Sequence, residues 1–282
     1  MKFGGSSVAN AQRISHVASI IKAYRNRRPV VVLSAMGDTT DHLLEAADKA
    51  LGGVVSMERI ASLHFETLRE LGLPSGTIED LINELTQLLT GISMIKELTK
   101  RTRDYLVSFG ERMSVRIAAA YLTKEGIPAL AYDAWDIGIV SDGNFMSAEL
   151  LDEVWQSIPE HLHAYASGKD ERIPVVTGFI AKDKSGNITT LGRGGSDLTA
   201  TIIGAATGVE RRRRHHDDRS PHLSRRQAGT RSNVRRSAGT CVFRRASAAS
   251  AFDAPLPPHC NSRPRKEFVQ YRKSGFDHRR NA

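Results

Sequence analysis

At 282 residues the chain has room for one large domain or two smaller ones. Its two cysteines, Cys241 and Cys260, both lie in the last quarter, which leaves the rest with no disulfide framework and no thiolate metal cluster. The net charge of +9 suggests a nucleic-acid partner only until it is split by position: residues 1–210 carry 21 Lys+Arg against 26 Asp+Glu, and residues 211–282 carry 19 against 5. The body is therefore mildly acidic, and all of the excess charge sits in the tail. No apolar run approaches the ~20 residues that span a bilayer. The opening Met1-Lys2-Phe3-Gly4-Gly5 has no secretory pattern, so a soluble, cytoplasmic chain is expected.

In chain order, the apolar spacing of Ile14, Val17, Ile20 and Ile21 predicts a helix over Asn10–Tyr24. PVVVLSA, Pro29–Ala35, is a continuous β-branched run ending in small residues, the pattern of a strand buried on both faces of a parallel sheet. A helix over Thr40–Leu51 follows, then helices across 56–100 broken around Pro74-Ser75-Gly76, then a long helix over Tyr105–Leu122. Strands are expected at Ala129–Asp133 and Ile137–Val140, a helix at Ala148–His161, a strand at Ile173–Ile180 with a hairpin to Ile188–Leu191, and a helix at Ser196–Ala206. This alternation predicts an α/β layered fold with a largely parallel sheet.

Three stretches carry chemistry. KFGGSS (residues 2–7) pairs a lysine with glycines that expose backbone N–H groups, a combination that holds phosphate oxygens. TLGRGGSD (190–197) sets an arginine, two glycines, a serine and an acid at a strand-to-helix turn, where backbone donors and the helix dipole face an anion. SFGE (108–111) puts an acid where a ligand ammonium could meet it. Alone, a Gly-Gly pair is more often a plain turn, GRGGSD can be an ordinary loop with an N-cap aspartate, and Glu111 can simply serve the helix dipole. His16, His42, His64, His161 and His163 have no metal-ligand spacing and read as solvated or partner-satisfied residues; no metal-ligand set is assigned. A Gly-rich phosphate turn normally follows a buried strand. Here KFGG follows Met1 directly, so the leading strand is expected to be missing, as if Met1 were internal to a longer protein.

In the order KFGGSS, VLSAMGDTTD, SFGE, TTLGRGGSD, residues 2–210 resemble the aspartate kinases, and among them the plant-like monofunctional type. The resemblance implies an amino-acid kinase fold, a three-layer α/β/α sandwich that is incomplete here. It implies transfer of the ATP γ-phosphoryl group to the side-chain carboxylate of L-aspartate with Mg²⁺, and a homodimer in the full-length family. Carried over residue by residue, Lys2, Gly4, Gly5 and Ser6 would hold nucleotide phosphate, and Thr40 and Glu111 would line the substrate. Arg193, Gly194, Gly195, Ser196 and Asp197 would hold substrate and the transferring phosphate, with Lys2, Arg193 and Asp197 at the chemistry. Other kinases of this fold, acting on glutamate, carbamate or uridylate, fit the SFGE and GRGGSD pair less well.

From Arg211 the chain turns to arginine, histidine, serine and proline without apolar periodicity, so residues 211–282 are expected to be a disordered basic tail. A real tail of this charge would bind nucleic acid without regard to sequence, but it has no helical face, repeat or aromatic spacing. One base out of phase, the codons of Gly239–Ala246 permit E-L-A-Y-F-G-A and those after Arg211 permit V-D-G-V, in the order the family uses. The tail therefore reads as an out-of-frame translation, with no specific nucleic-acid or membrane partner. The chain as written is expected to fold poorly and to be weakly active or inactive. A plastid location is expected if a transit peptide lies upstream.

Overall fold

A computed structural model describes residues 1–217. Its centre is a four-stranded parallel sheet built from β1 (Lys2–Phe3), β2 (Val31–Leu33), β3 (Ala129–Tyr132) and β5 (Ile173–Thr177), in the order β1-β2-β5-β3. The register pairs Lys2 with Val32, Val31 with Val175 and Ala131 with Val175. A second sheet joins β4 (Val140–Ser141) in parallel to β6 (Ile180–Asp183), which pairs antiparallel with β7 (Ile188–Thr190).

The period of two along each strand creates the three layers. Val31, Leu33, Ile173 and Val175 point into one core with α1 (Ala11–Ala23), α2 (Thr39–Leu51), α3 (Glu58–Leu71), α4 (Glu79–Ile95) and α5 (Lys100–Lys124). Val32 and Val176 point the other way, into a smaller core with α6 (Val154–His161) and α8 (Gly195–Asp217); the short α7 (His163–Ala166) follows α6. Because both faces are covered, the central strands need no polar side, and β2 and β5 are buried at every position.

Several expectations need correcting. The leading strand is present in reduced form: Lys2 and Phe3 pair with Val32 and Leu33, which makes β1 an edge strand of the main sheet. The run Ile173–Ile180 is two strands in two sheets, broken at Gly178 and at Phe179, which takes a left-handed φ of 68°. The strand expected at Ile137–Val140 is confined to Val140–Ser141, because Ile137 ends a 3₁₀ turn (Ala134–Ile137) closed by Asp133 and Asp136 capping each other's backbone. The helix expected from Ala148 begins at Val154. The last helix does not stop at Ala206 but crosses Glu210 and runs to Asp217. The remainder of the basic tail, with its frame reading, lies outside the described residues. Among the described residues no helix is long and apolar enough to cross a membrane.

Candidate active site

The carboxyl ends of β1, β2 and β5 lie side by side because the strands are parallel neighbours, and their following loops meet at one edge of the sheet. Open parallel sheets take ligands at this edge. Lys2 comes from β1 and the Gly4–Ser7 turn follows it. Gly5 sits against the loop after β2: its carbonyl accepts from Gly37 N–H (3.1 Å), and a Cβ there would lie 2.8 Å from the Ala35 carbonyl oxygen. Only glycine lets these two loops pack so closely.

The GRGGSD turn joins β7 to α8. Gly192 and Gly194 both take positive φ (71° and 76°), and the chain then enters the helix at Gly195. The start of α8 faces the β1 and β2 loops through two contacts. Asp197 forms an ion pair with Lys2 (Nζ–Oδ1 3.0 Å). Ser34 Oγ donates to Ser196 Oγ (3.0 Å). The first turn of a helix leaves backbone N–H groups without intrahelical acceptors and carries the positive end of the dipole. Arg193, Gly194 and Asp197 are exposed, whereas Gly195 and Ser196 are buried.

Glu111 lies on α5, a helix wide enough in its apolar surface to be buried along most of its length. It can approach the loop after β2 because its neighbour is Gly110, where a Cβ would stand 2.8 Å from the Ala35 methyl. Glu111 is 3% exposed, and its Oε1 accepts the Ala35 N–H at 3.2 Å. Its Oε2 is buried with no hydrogen-bond partner among the described residues. Burial pushes its carboxyl up to about 8, against the pull of the Ala35 hydrogen bond. A cation or donor placed against that idle oxygen would satisfy it and draw the carboxyl back toward its ionised form.

The two poles of the site are linked through one dipeptide. Ser34 bonds Ser196 at the start of α8, and the next residue, Ala35, bonds Glu111. An anion cradle and a buried carboxylate therefore flank the span of two consecutive residues, ~3.8 Å between their Cα atoms.

Of the residues singled out from sequence, Lys2, Gly5, Glu111, Ser196 and Asp197 are brought together by the contacts above, and Gly4, Gly194 and Gly195 lie in the same loops. Ser6 is exposed in the 3₁₀ turn after Gly4. Thr40 is half-buried in the first turn of α2; its neighbour Thr39 is fully buried, with its hydroxyl donating to the Met36 carbonyl. Sequence reading missed Ser34 and Ala35, which sit in the VLSAMGDTTD motif from which it took only Thr40 as a site residue. It also missed Gly178, where a Cβ would stand 2.6 Å from the Ser196 Cβ, so that β5 abuts the start of α8. Among the described residues no group of three or more His, Cys, Asp or Glu could hold a metal ion by itself.

Comparison with known proteins gives a consistent picture. The model of the amino acid kinase family matches residues 1–212. The chain is 50% identical over 217 residues to aspartokinase 2, chloroplastic, of Arabidopsis thaliana, covering 74% of this chain and 40% of that protein. It is 34% identical over 207 residues to an aspartate kinase of Pseudomonas fluorescens, covering 73% and 38%. Among solved structures, E. coli aspartokinase III in complex with aspartate and ADP superposes with a TM-score of 0.63 at 29% identity, covering 73% of this chain and 46% of that one. The chain thus spans about two fifths of the length of the curated relatives it matches.

Proposed function

Because the chain belongs to the amino acid kinase family, we propose that its site takes L-aspartate and ATP and joins the γ-phosphoryl group to the side-chain carboxylate, giving 4-phospho-L-aspartate and ADP. The observation that carries this reading is the Ser34–Ala35 link between the start of α8 and Glu111. The E. coli relative is in complex with aspartate and ADP, a zwitterionic amino acid and a polyphosphate of the kind these groups would receive.

Each residue then has a defined task. Glu111, once ionised, receives the substrate ammonium on its idle Oε2. Arg193 pairs bidentately with a carboxylate. Lys2, the Gly4–Ser6 backbone and the first turn of α8 hold the phosphates. The nucleophile is already a carboxylate, so no base is required: its oxygen attacks Pγ, the bond to the β–γ bridging oxygen breaks, and ADP departs with that electron pair. The barrier is the approach of two anions, and positioning and charge screening must lower it. Mg²⁺ on the nucleotide would supply further screening of the phosphate oxygens. It needs only one or two carboxylates from the protein, and Asp197, exposed beside Lys2, is the acid at this mouth suited to that.

The reading extends to a plastid setting and a homodimer, on the strength of the plant relatives' names and the family resemblance. It also includes the frame reading of the tail, supported by a family match that stops two residues past Glu210. Sequencing the gene across that codon tests the frame. The test of function is titration of the purified chain with L-aspartate and L-glutamate, beside an assay of ADP release. The expected outcome is saturable aspartate binding that Arg193→Ala abolishes, with weak turnover. Equal affinity for glutamate, or no effect of Arg193→Ala, overturns the assignment.

A further inference from the structure

A second buried acid lies near this site, and sequence reading did not single it out. Asp104 lies on α5 seven residues before Glu111, and seven residues is about two helical turns. The two carboxylates therefore leave the same face of one helix, about 10 Å apart along its axis. Asp104 is 1% exposed and takes part in no ion pair among the described residues. Three donors converge on it. Oδ2 accepts the Met146 N–H (2.7 Å) and the Thr190 N–H (3.0 Å), and Oδ1 accepts the Thr190 hydroxyl (2.9 Å).

These donors flank the root of the GRGG turn. Thr190 ends β7, two residues before Gly192; the intervening Leu191 N–H bonds the Phe179 carbonyl (2.8 Å). Met146 holds a left-handed φ of 72°, unusual for a side chain of its size, and its carbonyl oxygen would lie 3.7 Å from a Cβ on Gly192. Thr190 in turn accepts the Ala148 N–H (2.8 Å). The β7 end that leads into the turn and the Met146 segment that packs against it are thus tied to one side chain on α5. A carboxylate suits the position because its two oxygens can accept from all three inward-facing donors.

We propose that Asp104 is a positioning residue for the Arg193 turn: it fixes Thr190 and Met146 to the helix that carries Glu111, so that α5 sets the separation between the two ends of the bound amino acid. The consequence for binding rests on the aspartate reading above; the consequence for the turn does not.

The test compares Asp104→Leu, Asp104→Asn and Thr190→Val in the full chain, by amide hydrogen exchange and aspartate titration. In Asp104→Leu, exchange at Gly192–Ser196 is expected to rise about tenfold or more while Val31–Leu33 stay unchanged. Aspartate affinity is expected to fall about tenfold. Asparagine can keep its oxygen on the two N–H groups and donate to the Thr190 hydroxyl, so it should restore both readouts to within about threefold of wild type. If the leucine variant does not fold, Thr190→Val removes one donor alone and should accelerate exchange at the turn about threefold. Exchange that is unchanged at the turn, or that rises equally across the sheet, overturns the proposal. A wild-type chain that binds no aspartate sinks the functional reading instead, and the exchange pattern still decides the role of Asp104.

Discussion

Replacing Glu111 by glutamine keeps the shape of the side chain and removes its titration, so the effect on stability can be worked from burial alone. In the unfolded chain this carboxyl ionises near 4.5, and in the fold burial holds it protonated up to about 8. The folded state therefore binds more protons across that window, and its stability is full below pH 4.5 and is lost as pH rises toward 8. At about 1.4 kcal/mol per pH unit, the loss by pH 7 is about 3 kcal/mol, with a ceiling of about 5 kcal/mol by pH 8. His64 works in the opposite sense. It is fully buried on α3, with Nδ1 against the Ile60 carbonyl and Nε2 idle, and desolvation lowers it from 6.5 to about 4. Its contribution is present above pH 6.5 and is lost as pH falls toward 4. Between 4.5 and 6.5 the two slopes oppose each other, so wild-type stability should be nearly level there and fall from 6.5 to 8. The glutamine variant should rise to pH 6.5 and then stay level. Urea unfolding between about pH 5 and about 8.5 measures both curves, and their difference isolates Glu111. Curves that run parallel would refute a buried, protonated Glu111.

With the series extended to about pH 4, His64→Gln should fall steadily from pH 4.5 to 8 where wild type stays level to 6.5, the gap between the two curves changing by about 3 kcal/mol between pH 6.5 and 4. Lys2→Met should weaken ATP binding by about tenfold or more while leaving the melting temperature unchanged, because its ion pair with the largely exposed Asp197 is worth under ~1 kcal/mol; a matching loss of stability would make Lys2 a structural residue. Gly178→Ala places a methyl 2.6 Å from the Ser196 Cβ and must push the start of α8 away. It should cost about 1–3 kcal/mol in chemical denaturation and weaken aspartate binding, whereas no change in either would mean the close approach is immaterial.

The layers of the fold were legible because β2 is apolar at every position and the helices around it repeat at helical spacing. The break at Gly178 was not: Ile173–Ile180 is apolar on both sides of it, and periodicity cannot register a chain that leaves one sheet for another without changing composition. In the site, the glycine-rich and charged motifs announced themselves. Ser34 and Ala35 act through a hydroxyl and a backbone N–H, which no residue pattern encodes. Asp104 was concealed for a different reason: a lone acid on a helix looks solvated until the β7 end is folded against it. The spacing of seven from Glu111 was the available clue.

The placement of β5 between β2 and β3 has a consequence for synthesis of the chain. β2 cannot pair with β3 directly, and Val31 meets its partner Val175 only across 144 intervening steps of sequence. Until residue 177 has left the ribosome, VVL and ALAY each present an open strand edge, the feature most prone to pairing with other chains. Such long-range closure is also slow. The loops that form the site hang from those same strands, so the site cannot form before that pairing does. A ligand that bridges Ser34 and Ser196 would act as a clasp on that pairing, slowing its reversal.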